Sequence, residues 1–133
     1  MLTRRIGLVL ALTIGALVGC GGNGDPTPVR SYTLHIRTDD ASDKYGYIAE
    51  DPIDLRVGDE VTFEMSNTGA LIHDLQIVGP DGLAVAAAPP VASGGALSLT
   101  VYFDEAGYYQ LNCLVDDHLT KYSMQALVEV VDP

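Results

Sequence analysis

Four side chains in the second half of the sequence carry donor atoms that one metal ion could share. Cys113 ends the segment Gly107-Tyr108-Tyr109-Gln110-Leu111-Asn112-Cys113, His118 follows with four residues between, and Met124 lies further on. Strand alternation puts Tyr109, Leu111 and Cys113 on one face, so the thiol points inward where the chain turns. A soft thiolate, the imidazole of His118 and a second imidazole make the trigonal set that suits copper in electron transfer, with a long thioether contact as the usual fourth. His73 would supply the second imidazole and Met124 the thioether. Each residue alone has a plainer reading. A Cys facing a β-core is usually a small inert hydrophobe, and Met124 also opens the alternating run Met124, Ala126, Val128, Val130, which fits a core position.

The elements that must hold these groups read as strands. Apolar residues alternate at Tyr32, Leu34, Ile36, at Ile53, Leu55, Val57 and at Val61, Phe63, Met65, and period two marks half-buried β-structure. Further runs cover Leu71 to Val78, Leu97 to Phe103, Tyr108 to Cys113 and Met124 to Val131, with turn signals at Val57-Gly58-Asp59, Gly79-Pro80-Asp81-Gly82 and Glu105-Ala106-Gly107. About seven or eight short strands at this spacing predict an all-β Greek-key sandwich. Two stretches break the pattern. The acidic segment Asp39 to Asp51 reads as solvated surface or as a docking face for a basic partner. In Leu83 to Gly95, Pro89-Pro90 bars a long helix and Ala84 to Ala88 could form a turn or two at most. Met65 belongs to the core, and His35, sharing a face with Thr33 and Arg37, belongs in solvent.

Over nearly the whole of this region the chain resembles the cupredoxins, the small blue copper proteins. The matching pieces are Val57-Gly58-Asp59 with Val61 and Phe63, Asn67 six residues before His73, Phe103-x-x-x-Gly107-x-Tyr109, and Cys113-x4-His118 with a downstream Met. The resemblance implies one type 1 copper ion held by His73, Cys113, His118 and Met124, and a corner tyrosine at Tyr109 that pins the loop connection. Asp74 would be either a hydrogen-bond acceptor for the Cys loop or a surface carboxylate, with Asn67 and Asn112 supporting the ligands from outside. Two departures stand out: five residues separate His118 from Met124 where three or four are common, and Asp74 replaces a frequent Asn. Multicopper oxidases share the surround of Cys113 but carry His on both sides of it. With His35, His73 and His118 as the whole histidine complement, a trinuclear centre cannot be ligated and the chain alone cannot reduce oxygen.

Size and charge narrow the remaining possibilities. The chain has 133 residues, 7 basic against 18 acidic side chains and a net charge of -11, which allows one domain and excludes the basic stripe of a nucleic-acid binder. Arg4 and Arg5 precede an apolar run from Ile6 to Val18, too short to span a bilayer and shaped like an export signal. Its end, Leu17-Val18-Gly19-Cys20, resembles a bacterial lipobox, so residues 1–19 are expected to be removed and Cys20 lipidated. Arg4-Arg5 also hints at twin-arginine export. Gly21 to Arg30 reads as a Gly and Pro rich tether, leaving residues 31–133 as the copper-binding domain. Loss of the two leader arginines and no acid leaves 5 basic and 18 acidic groups, or -13. The expectation is a monomeric electron carrier, not an enzyme, anchored at the periplasmic or cell-surface side of a bacterial membrane. Its partners would be cytochromes or copper oxidoreductases. The competing readings are a copper delivery or storage module, a copper subunit of a respiratory or nitrogen-oxide complex, and a metal-free binding domain.

Overall fold

The computed structural model describes residues 28–133. The leader, Cys20 and most of the tether lie outside them. The described strands are β1 Arg30–Asp39, β2 Gly46–Ala49, β3 Leu55–Arg56, β4 Asp59–Ser66, β5 His73–Val78, β6 Ala84–Val91, β7 Ala96–Tyr102, β8 Gly107–Asn112 and β9 Gln125–Val131. They form a sandwich of two sheets, ordered β2-β1-β4-β7 and β3-β9-β8-β5-β6. The pairs β1/β4 and β3/β9 are parallel and the others antiparallel.

Alternation fixes which face each strand buries. In β4, Val61, Phe63 and Met65 point in while Glu60, Thr62 and Glu64 point out; in β5, His73, Leu75 and Ile77 are inside. Phe103 stands edge-on to both Phe63 and Tyr109, which favours the T-shaped aromatic geometry in the centre of the core. Tyr109 is buried and its hydroxyl donates to the carbonyl of Glu105 at 3.0 Å, closing the corner before β8. Met65 is core, and His35 is exposed beside Asp51.

Four departures from the sequence reading have local causes. The alanine-rich stretch is the edge strand β6, because pairing with β5 outweighs alanine's weak strand propensity and an edge tolerates Pro89 and Pro90. The acidic segment contains β2, paired with the end of β1. The expected strand around Ile53 shrinks to Leu55–Arg56, since the Asp54 carbonyl is taken by Arg30 and Tyr32 side chains instead of a ladder partner. At the other end of the chain's strand order, Arg30 is already in β1 and the Val29 N–H donates to the Gly58 carbonyl at 2.7 Å. Two residues assigned to the tether are therefore part of the sandwich.

Candidate metal centre

β5 and β8 are antiparallel neighbours with Gln76 opposite Asn112. That register carries the start of β5 and the end of β8 to the same rim of the sandwich. His73 begins β5 and Cys113 follows β8, and both side chains face inward. The loop from Cys113 returns to the same rim through a tight set of backbone bonds: His118 N–H to Val115 carbonyl at 3.0 Å, Met124 N–H to His118 carbonyl at 2.9 Å, and Cys113 N–H to Met124 carbonyl at 3.2 Å. Its two corners use the left-handed region, at Asp116 (φ 45°) and Ser123 (φ 52°). Asp tolerates that conformation better than most residues.

The result is convergence of three ligand-type atoms. Cys113 Sγ lies 3.5 Å from His118 Nδ1 and 3.9 Å from His73 Nδ1, and all three atoms lie within 4.8 Å of one another. Donors bonded at roughly 2.0 to 2.3 Å around one trigonal ion stand roughly 3.5 to 4 Å apart, and both sulfur–nitrogen distances match that spacing. Cys113 and His73 are fully buried and His118 is 5 % exposed. Burial pushes the Cys113 thiol up from its ordinary value, which opposes a bare thiolate; a bound cation reverses that preference. Met124 is fully buried yet stands outside the main core cluster, and its backbone is bonded to both Cys113 and His118.

Polar groups around the three ligands hold the loops. Asp74 Oδ1 accepts the Leu114 N–H at 2.8 Å, tying the segment after Cys113 to the residue after His73. The Tyr47 hydroxyl donates to the Asp74 carbonyl at 2.6 Å, and burial together with Cys113 and Asp74 pushes that phenol far up. Asn67 uses its whole side chain: Oδ1 accepts from Thr38 Oγ1 and the Gly69 N–H, and Nδ2 donates to the carbonyls of Leu71 and Val91. It thus welds β1, β6 and the loop that delivers His73. That loop explains why β5 starts at His73 and not at Leu71. The Leu71 N–H and carbonyl are spent on Asp40 and Asn67. Asn112 is buried, on the sheet face opposite Cys113 by alternation, and its Oδ1 has no partner among the described residues.

No family model and no curated protein matches this sequence. Among solved structures it superposes on dithionite-reduced auracyanin from the photosynthetic bacterium Roseiflexus castenholzii, with a TM-score of 0.60 and 20 % identity over 74 % of this chain and 95 % of that one. Auracyanin A, a "blue" copper protein from Chloroflexus aurantiacus, gives 0.59 and 17 % over 75 % and 98 %. A rusticyanin gives 0.59 and 16 % over 82 % and 85 %. The chain has the cupredoxin fold. At these identities the likeness is one of architecture, and in this cupredoxin-like sandwich the candidate ligands sit on the rim where β5, β8 and their loops meet.

Three contributors to that rim are not apparent in the sequence. Asp40 was expected in a solvated acidic stretch; its side chain is 5 % exposed and its Oδ2 lies 2.9 Å from His73 Nε2. Tyr45 stands edge-on to both His73 and His118 and stacks on Tyr122 with ring centroids 4.2 Å apart. The His118 ring is buried beneath this pair. What selects Asp40 is the pairing of Arg37 with Ser66, which sets Thr38 beside Asn67 and carries Asp40 toward Gly69, a register that the sequence does not announce.

Proposed function

We propose that this protein is a type 1 copper protein that carries single electrons between redox partners. The observation that carries the reading is the convergence of Cys113 Sγ with the Nδ1 atoms of His73 and His118 in a buried pocket of a cupredoxin fold. Copper bound there would alternate between Cu(I) and Cu(II), with no substrate bond made or broken. One thiolate and two imidazoles are a donor set that serves both states. The work of the chain is to keep those donors where they are. Asn67 and the Asp74–Leu114 bond fix the two loops, the closed backbone ring from Cys113 to Met124 fixes the third, and burial keeps water from the pocket. Met124 is the proposed axial thioether.

A delivery or storage module is less well supported, because it must pass its ion to another protein and these three donors are at most 5 % exposed. A copper enzyme would need an open coordination position or a partner, and the three donors here are closed off from solvent. Copper-loaded protein should show the intense visible band of a thiolate-copper bond, and Cys113→Ser should abolish it. Full copper occupancy without that band in the wild type would overturn the reading.

Export and lipid anchoring at Cys20 complete the proposal. They are supported by the leader and by Leu17-Val18-Gly19-Cys20, and place the carrier at the periplasmic or outer face of a bacterial membrane. The intact mass of the mature protein tests this: an unmodified N-terminus beyond Cys20 rules out the anchor.

A further inference from the structure

His73 has two ring nitrogens with different neighbours. Nδ1 faces Cys113 Sγ, and Nε2 lies 2.9 Å from Asp40 Oδ2. An ionised carboxylate can only accept, so Nε2 carries the hydrogen and Nδ1 keeps its lone pair for the pocket. Asp40 is itself built in. Its Oδ1 accepts the Ala70 N–H at 3.0 Å, and its Oδ2 accepts the Leu71 N–H at 2.8 Å as well as His73. The adjoining Gly69 makes the fit possible, since a Cβ there would collide with the Asp40 carboxylate. Asp39 and Asp43 differ: Asp39 accepts only the Ala41 N–H of its own turn, and Asp43 is exposed.

We propose that Asp40 is the residue that sets His73 for the metal. By accepting from Nε2–H it aims Nδ1 at Cys113 and His118, and its fixed negative charge biases the bound ion toward the more oxidised state. The second half rests on the copper reading. The first concerns the metal-free protein as well. Carboxylates that hold a ligating imidazole in this way raise its basicity, and losing one typically costs a metal site 10- to 100-fold in affinity.

Two variants separate the effects. Asp40→Asn can keep an oxygen on Leu71 N–H and His73 Nε2 while removing the charge and, because its NH2 cannot accept, the Ala70 N–H bond, whereas Asp40→Ala removes the oxygen as well. In metal-free protein with 15N-labelled imidazoles, long-range NMR correlations should show the Nε2–H tautomer of His73 in the wild type and the Asn variant. The Ala variant should populate Nδ1–H. With copper alone as the probe, Asp40→Ala should lose roughly 10- to 100-fold in affinity. Asp40→Asn should keep the visible band but lose more Cu(II) than Cu(I) affinity, which raises the potential. If Asp40→Ala does not fold, Gly69→Ala displaces the same carboxylate and should reproduce its NMR signature. A wild-type Nδ1–H tautomer, or a Cu(II)-to-Cu(I) affinity ratio unchanged in Asp40→Asn, overturns the proposal. A wild type that binds copper colourlessly sinks the copper reading instead, and the tautomer still decides the role of Asp40.

Discussion

Burial pushes the Cys113 thiol up from its ordinary value, so a thiolate there would depend on the proposed copper ion, and Met124 is the candidate to approach that ion from the fourth direction. Met124 is buried, tied by its backbone to Cys113 and His118, and outside the main core cluster. If its thioether is a weak axial donor that favours Cu(II), Met124→Leu should keep three strong ligands and the visible colour while raising the reduction potential. The swap conserves volume and should cost less than about 1.5 kcal/mol of stability. Cyclic voltammetry beside urea denaturation checks both, and an unchanged potential would make Met124 a packing residue only. The same contrast governs what could be read in advance. Cys113, His118 and His73 are legible because thiols and imidazoles are scarce in this chain and their order is specific. Asp40 is not, because five acids crowd Asp39 to Asp51 and only the parallel β1/β4 register picks one of them for His73.

At the scale of elements, the β-sandwich was legible from alternation because each core strand buries one face. The edges were not, since β2, β3 and β6 owe their pairing to neighbours more than to their own pattern. The rim opposite the candidate metal centre shows how one residue anchors several elements. Asp59, almost fully buried, pairs with Arg30 directly across the β1/β4 register, and also accepts the Arg56 N–H and the Tyr32 hydroxyl. Arg30 is the first cause that holds the Asp59 carboxyl below its ordinary range, against the upward pull of burial. Because the folded-state value is depressed, the stabilisation is complete above the unfolded carboxyl value of about 3.9 and is lost as pH falls toward the lower folded value. Asp59→Asn should therefore cost about 1.5 to 3 kcal/mol at neutral pH, the usual loss for hydrogen bonds to a charged group. It should also flatten the fall in stability below about pH 4. Urea midpoints at pH 7 and pH 3 test it, and equal losses at both would mean that the Asp59 charge is not the anchor.

For the whole molecule, charge sets how a partner arrives. With the leader removed as proposed, the chain would carry -13, from 5 basic and 18 acidic side chains without Arg4 and Arg5, and should project a negative potential that steers a cationic redox protein. The acids divide by position. Asp116 and Asp117 are exposed inside the metal loop, while Asp39 and Asp43 lie at or beyond the end of β1, and Asp40 leaves the docking group because His73 and two backbone amides occupy it. Lys121 sits 4.8 Å from the Tyr122 ring and 3.8 Å from Asp117, offsetting part of the charge above His118. Replacing Asp116 and Asp117 by Asn should slow association with a cationic cytochrome and shift the potential. Replacing Asp39 and Asp43 should slow association alone. Both effects should be large near 0.01 M salt, where the Debye length is about 30 Å, and fade by 0.1 M, where it is about 10 Å. Electron transfer within the docked pair should be untouched by Asp39→Asn and Asp43→Asn, because these change the approach and not the site. Stopped-flow rates across a salt series decide the matter. Rates that rise with salt, or that ignore both pairs of substitutions, would mean that the partner is neutral or acidic and that the acidic surface keeps the protein soluble.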